Sequence, residues 1–303
     1  MKKIVGFVCT LLVITLGLLQ MVHDDSVASE VVQENLDGQL TIHFLDIGQG
    51  DATFIVFPDG TQMLVDCSID ARILEALGDV MSFHDNTIDY LVITHPDKDH
   101  YGGCVDVLDR FDVGQVIYNG YEKQDSVFWL EFWDVIQAEQ AEYTEVTQLT
   151  HWEIVSTSVQ FLYPDHSLRD NPHIPGDEST TVDANNGSIV LLLSYGTVDV
   201  LMTGDAEQKL EEYLIEMYGD KLDVDVLKVG HHGSNTSSID PFLAVTTPEH
   251  AVISVGVDNR YGHPSPRVLK RFERASSTIW RTDRQGTITL TTDGTQFSFS
   301  PER

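Results

Sequence analysis

From residue 40 onward, short apolar runs alternate with clusters of Gly, Asp, Asn and Pro. Runs at 41–46 and 52–57 are rich in β-branched and aromatic residues and read as paired strands, and the turn Pro58-Asp59-Gly60-Thr61 leads to a third at 62–66. Helical spacing at 71–80 precedes a buried strand at 89–94, which runs directly into His95-Pro96-Asp97-Lys98-Asp99-His100. Helices are also expected after Gly102-Gly103 and at 126–141. Residues 164–187 have few apolar positions, so a long functional or mobile loop is expected there. Order resumes with strands at 188–195 and 198–203, a helix at 206–218, and a strand at 224–229 that ends on Gly230-His231-His232-Gly233-Ser234. A strand at 251–255, a helix at 266–272 and strands near 278–280 and 287–292 complete the pattern. Each half gives β-runs followed by αβ units. The packing this predicts is two sheets face to face with helices outside, an α/β protein with a four-layer α/β/β/α sandwich in a single domain of two similar halves.

The first residues follow a different rule. Lys2 and Lys3 precede an apolar run at 4–22, and Ser26-Val27-Ala28 supplies a small-x-small site. This is the pattern of a secretory signal peptide at 1–28, cleaved after Ala28 and followed by a linker at 29–39 and the folded domain at 40–303. An uncleaved N-terminal anchor is the alternative; either places the domain outside the cytoplasm. Cleavage would remove Cys9 and leave Cys67 and Cys104, which could pair in an oxidising compartment; two reduced, buried thiols are the expectation.

Composition narrows the function classes. With 42% hydrophobic residues the 303-residue chain can bury a large core, which excludes a disordered chain. Asp and Glu number 48 against 18 Lys and Arg, a formal charge of −30, which excludes a basic nucleic-acid-coating protein. An enzyme acting on an anionic substrate is still allowed if its local field differs.

The chemistry-bearing residues collect at strand ends. His95, Asp97, Asp99 and His100 share one six-residue loop after an apolar strand. Asp66, Asp205 and the pair His231-His232 end three other apolar runs. Strand ends aim their loops at a common edge, so Asp and His side chains delivered there suit a metal centre: a carboxylate can bridge ions while imidazoles hold them.

These motifs resemble the metallo-β-lactamase fold superfamily, whose H-x-[HD]-x-D-H pattern matches His95 to His100. More closely, the chain is similar to the soluble hydrolase domain of ComEC-type DNA-uptake proteins. The matching stretches are Phe44-Leu45-Asp46-Ile47-Gly48-Gln49-Gly50-Asp51, Leu64-Val65-Asp66, Thr203-Gly204-Asp205, Leu227-Lys228-Val229-Gly230-His231-His232-Gly233-Ser234 and Tyr261-Gly262-His263-Pro264. The resemblance implies metal ligation by His95, Asp97, Asp99, His100, Asp205 and His231, with Asp205 bridging. Asp99, His100 and His231 would hold one ion, His95 and Asp97 the other. Asp66 would brace the site, with His232 and Asn185 in support. Asp99 or Asp205 would orient the attacking water, and His263 would donate to the leaving group. Gln49, Asp51 and Ser234 are the substrate-side candidates near the metal edge.

Two departures bear on the cofactor. The superfamily's third motif histidine is replaced by Asn185-Asn186-Gly187-Ser188, and Asp97 stands where a histidine is usual. Fewer imidazoles and more oxygen weaken the preference for Zn2+ at the first site and admit Mn2+ or Mg2+ there, so the expected cofactor is Zn2+ or Mn2+, as one firm ion and one weak, exchangeable ion. The missing histidine also argues against β-lactam hydrolysis.

Residues 260–284 run against the overall charge, with seven Lys and Arg facing only Glu273 and Asp283, an excess of +5. Arg267, Lys270, Arg271 and Arg274 share a helical face. That face either tracks a nucleic-acid backbone, through Arg267 and Arg271, or pairs with the acidic surface. Phe128, Trp129, Phe132 and Trp133 read as the buried side of a helix, with a base-stacking platform as the alternative. The resulting expectation is a secreted metal-dependent hydrolase whose favoured substrate is a phosphodiester of nucleic acid. The alternatives are another hydrolase of this fold, acting on a phosphorylated cell-wall polymer, ester or lactone, or a non-catalytic DNA-handling module. Because ComEC-type proteins carry a multi-span membrane channel and this chain shows none, degradation of extracellular DNA is expected in place of transport.

Overall fold

Two stacked sheets organise the chain in a computed structural model that describes residues 38–123, 126–138, 141–179 and 181–303. The expected leader at 1–28, and the linker up to residue 37, lie outside the described residues. The first sheet holds β1 (Leu40–Phe44), β2 (Thr53–Val56), β3 (Gln62–Val65), β4 (Thr87–Ile93), β5 (Asp112–Tyr118) and β6 (Glu142–Glu145), extended past β1 by β14 (Ile288–Thr292) and β15 (Phe297–Pro301). The second holds β7 (Thr150–Ile154), β8 (Thr157–Tyr163), β9 (Val190–Tyr195), β10 (Val198–Met202), β11 (Val226–Lys228), β12 (His250–Ile253) and β13 (Thr278–Arg281) in consecutive order.

Each sheet begins antiparallel and turns parallel. β1 to β3 pair antiparallel and β3 to β6 parallel. β7 to β10 pair antiparallel and β10 to β13 parallel. A parallel pair needs a crossover, and helices supply it. In the first half these are α1 (Arg72–Val80), the single turn α2 (Lys98–Tyr101), α3 (Cys104–Arg110) and α4 (Val127–Ala138). In the second they are α5 (Gln208–Tyr218), α6 (Asp240–Thr246) and α7 (Pro266–Ala275), followed by the short α8 (Thr282–Gln285). This is the expected four-layer arrangement.

The apolar periodicity explains the layering. Ile42, Phe44, Val92, Leu191, Val200, Val226 and Val252 fill the space between the sheets. Alternate strand positions face the helices: Leu64, Leu91 and Ile93 on one side, Leu192, Leu201 and Leu227 on the other. Covered on both faces, the central strands read as largely apolar runs. Each fully buried Leu, Ile or Val contributes roughly 1.5–3 kcal/mol.

Several elements differ from the sequence expectations. β5, β6, β7, β8, α6 and β15 arise where no element was assigned. β6 and β7 are edge strands whose residues are mostly exposed or half-buried, so their apolar signal is weak. The helix expected at 266–272 runs on to Ala275. Cys67 and Cys104 are also not reduced thiols: they form a disulfide, with Cα atoms 5.1 Å apart. The chain reversal after β3 carries Cys67 against the first turn of α3, and nothing in the sequence spacing reports that approach. Among the described residues no helix is long and apolar enough to cross a membrane.

Candidate metal centre

The parallel strands β3, β4, β10 and β11 all end on the same edge of their sheets, and the loops leaving them meet there. His95 leaves β4, and α2 follows at once to carry Asp99 and His100. Asp66, just past β3, adopts a left-handed φ of 62°. Its carboxylate accepts from the Thr94 amide at 2.8 Å and the Thr94 hydroxyl at 2.7 Å, and lies 2.7 Å from His100 Nδ1. The brace expected of Asp66 therefore acts on His100. His95 is held in the same way, with Nδ1 3.0 Å from the Thr94 hydroxyl and 3.2 Å from the Ser188 hydroxyl.

Asp205 sits at the centre. Its amide donates to Ser188 Oγ at 3.0 Å, and Oδ2 lies 3.3 Å from His100 Nε2, 3.7 Å from His232 Nε2 and 4.0 Å from His95 Nε2. Gly204 before it has φ +52°, and an added Cβ would fall 2.8 Å from the Ser188 Cβ. Gly50 allows a closer approach still: with φ +112° its Cβ would stand 2.1 Å from the Asp99 carbonyl oxygen. Only glycine permits that contact, which brings the 48–51 loop under α2.

The turn after β11 is conformationally costly. His231 and His232 both adopt left-handed conformations, φ 47° and 52°. Each such non-glycine residue costs of order 1–3 kcal/mol. The turn is held by the Ser234 amide donating to the His231 carbonyl at 2.7 Å. Both imidazoles approach the Asp205 carboxylate, and His232 is the one that falls within the candidate ligand groups. His232, expected only in support, faces the cluster, with Nε2 3.5 Å from Asp99 Oδ2 and Nδ1 3.0 Å from the Ser254 carbonyl. A carbonyl on Nδ1 fixes the proton there and leaves Nε2 free to ligate. His231, expected as a ligand, is half-buried with Nδ1 3.0 Å from Glu207 Oε1, and its Nε2 lies 3.9 Å from Asp205 Oδ2.

Three overlapping groups bring ligand atoms within 4.8 Å of one another: His95, His100 and Asp205; Asp99, His100 and His232; Asp51, Asp205 and His232. His95 Nε2, His100 Nε2, His232 Nε2 and Asp205 Oδ1 are buried without a hydrogen-bond partner. Unpaired buried imidazole nitrogens set in overlapping groups around the Asp205 carboxylate are what bound cations would satisfy, so the residues fit a divalent metal ion. Burial opposes charge on Asp205, yet His100 and His232 hold its carboxyl well below the ordinary range. Burial likewise opposes the charged form of His100, but the Asp205 and Asp66 carboxylates raise it well above an ordinary imidazole. Burial and the charge of His100 lower His95.

The remaining expected residues are placed as follows. Asp97 Oδ2 lies 3.8 Å from His95 Nε2, while Oδ1 pairs with Lys123 Nζ at 2.5 Å. Gln49 Nε2 donates to Asp99 Oδ2 at 3.4 Å. Asp51 is buried beneath the cluster, paired with the buried Lys228 at 2.5 Å, and offers no surface to a substrate. Ser234 is buried against Thr236. Asn185 lies 3.4 Å from His231 Nδ1. The His263 ring is 5.7 Å from that of His231, and burial with the neighbouring His231 and His232 charges lowers its pKa. Arg267 is exposed at the start of α7, whereas Arg271 donates to the Ser237 and Ser238 carbonyls at 2.8 and 3.1 Å and so belongs to the scaffold. A polar cleft of about 390 Å³ opens beside the cluster, lined by Asp97, Tyr121, Lys123, Asp183, Asn185 and Glu207.

Thr94, Ser188, Glu207 and the Asp51–Lys228 pair went unrecognised from the sequence. Lys228 had a signal, as the one charged residue in the apolar run from Val226 to Val229. Thr94 and Ser188 had none, since a hydroxyl beside a strand is too common to single out.

Comparison with known proteins agrees with this architecture. The chain is 30% identical to ComE operon protein 3 of Bacillus subtilis, over 84% of this chain and 33% of that protein. It is 34% identical to competence protein ComA of Neisseria gonorrhoeae, over 66% of this chain and 25% of that protein. It thus spans about a third or less of these curated relatives, which are ComEC-type competence proteins. Among solved structures, the metallo-beta-lactamase fold protein YhfI from Bacillus subtilis shares the fold, with a TM-score of 0.54 at 10% identity, covering 84% of this chain and 100% of that one. The model of the metallo-beta-lactamase superfamily matches residues 45–257, and the chain belongs to that superfamily.

Proposed function

We propose that this chain is an extracytoplasmic metal-dependent phosphodiesterase that cleaves nucleic acid. The observation that carries the reading is the gathering of His95, His100 and His232 Nε2, all buried and unpaired, around the Asp205 carboxylate, beside an open polar cleft. His100, His232, Asp99 and Asp205 would hold the firmer ion. His95 and Asp97 would hold the weaker one, since Asp97 is shared with Lys123. Zn2+ or Mn2+ suits this mixture of nitrogen and oxygen donors. A divalent ion there supplies positive charge to a phosphoryl oxygen and acidifies water.

The chain's own groups do the rest. Asp66, Thr94 and Ser188 lock the His95 and His100 rings through Nδ1, and the Ser254 carbonyl locks His232. Asp99 Oδ2 and Asp205 accept hydrogen bonds from the attacking water and so orient it. Burial disfavours the charged form of His231, but Glu207 and Asp205 raise its pKa. His231 therefore holds a proton at Nε2 for the leaving oxygen, a role for which His263, with its lowered pKa, is less suited. Lys123 places a cation on the cleft wall, where a phosphate would enter.

The test is a panel of the purified protein with Zn2+, Mn2+ or Mg2+ against single- and double-stranded DNA, RNA and bis-p-nitrophenyl phosphate. Asp205→Ala and His100→Ala should abolish turnover. Activity surviving both substitutions, or stoichiometric metal binding without hydrolysis of any phosphodiester, would overturn the proposal.

A further inference from the structure

Beside the metal cleft lies a second cavity of different chemistry. It measures about 320 Å³ and is lined by Tyr118, Glu122, Trp129, Leu130, Trp133 and Arg169. Glu122 also lines the metal cleft, so the two cavities share a wall. Three aromatic rings crowd one side: Tyr118 and Trp129 have centroids 5.0 Å apart, and Trp129 and Trp133 are stacked at 6.2 Å. Arg169 supplies the polar edge, paired with Glu122 and, at 2.9 Å, with Glu145. The helix that builds the cavity, α4, is more apolar than burial requires. Trp129, Phe132 and Ile136 form its buried side, yet Val127, Phe128 and Leu130 are 66%, 61% and 46% exposed. Apolar surface of this kind, next to a half-open aromatic-lined cavity, is the setting in which binding sites occur.

We infer that this cavity is a nucleobase subsite, receiving a base of the nucleic acid whose phosphodiester lies at the metal centre. The assignment rests on the phosphodiesterase reading above and names the part of the substrate that the metal centre does not touch. A base presents a flat apolar face to Leu130 and the part-exposed Trp133, which the buried Tyr118 and Trp129 back, and a polar edge to the Arg169 guanidinium and the Glu122 carboxylate. The sugar and phosphate then cross the shared wall toward Lys123 and Asp97. Stacking on aromatic side chains accepts every base, so the subsite favours nucleic acid over simple phosphodiesters without selecting a sequence. The buried aromatic side of α4 is thus both core and cavity wall.

The test compares thymidine 5′-monophosphate with deoxyribose 5-phosphate, neither of which has a phosphodiester to cleave, on the full metal-loaded chain. The nucleotide should bind about tenfold more tightly and quench tryptophan emission, as stacking of one base implies. Leu130→Glu, at an exposed helical position, should bring the affinity ratio close to one without unfolding the chain. Equal binding of the two probes, or a ratio unchanged in Leu130→Glu, would overturn the assignment. Cleavage of DNA by a chain with no preference for the nucleotide would remove the subsite and leave the phosphodiesterase reading intact. A preference abolished by Leu130→Glu, in a chain that cleaves no phosphodiester, would keep the subsite and remove the reaction.

Discussion

Asp66 reaches His100 at 2.7 Å on the side of the ring facing away from the cluster, and the same carboxylate takes both the amide and the hydroxyl of Thr94. One side chain thereby sets the orientation of a ligand ring and the exit of β4. Asp66→Asn should leave the far-ultraviolet circular dichroism unchanged and weaken divalent metal affinity by about 10- to 100-fold, as measured by calorimetric titration with Zn2+ and Mn2+. Unaltered affinity would mean that the ring is positioned by packing alone.

The two adjacent histidines should separate cleanly. His232→Ala removes a cluster atom and is expected to lower metal stoichiometry or affinity. His231→Ala should leave metal content intact and slow cleavage of DNA, with its poor leaving group, by about 10²–10⁴-fold. Hydrolysis of bis-p-nitrophenyl phosphate, whose leaving group needs no proton, should change far less. Loss of metal in His231→Ala would instead support the ligand role that the sequence resemblance implies.

Glu211 supplies a pH dependence away from the cluster. Burial raises it from 4.5 to about 7, against the amides of Ser238 and Ile239 and the charge of Arg271. For a carboxyl raised in the folded state, the stabilising contribution is fully present below pH 4.5 and is lost as pH rises through 7. The chain should therefore lose roughly 2–3 kcal/mol from this group between pH 5 and 8. Urea denaturation across that range should show a flatter profile for Glu211→Gln. Parallel profiles would place the group outside the titrating set.

The disulfide between Cys67 and Cys104 closes a loop of sequence separation 37 that contains α1, β4 and α2 and begins next to Asp66. Replacing both cysteines by Ser should destabilise the chain by about 4 kcal/mol on loop entropy. The loss should extend to the metal site, because the Cys67 amide donates to the His100 carbonyl at 2.6 Å. Thermal denaturation and metal titration of the double variant test both parts; a change in Tm without a change in affinity would uncouple them.

Much of this protein was legible in its order of residues. Largely apolar runs at 89–94, 198–203 and 224–229 marked central strands, because burial on both faces leaves few polar positions. The Asp and His residues at their ends marked the site, because parallel strands deliver their ends to one edge. Three things were decided only by the tertiary structure. Which of His231 and His232 faces the cluster depends on two left-handed residues, a conformation that adjacent identical side chains cannot reveal. The Cys67–Cys104 pairing depends on a chain reversal that sets Cys67 against α3. The hydroxyls of Thr94 and Ser188 acquire their role only through proximity to His95. Periodicity is a property of neighbours along the chain and reports which face is buried. Ligand orientation and cross-links are properties of neighbours in space, set by loop conformation.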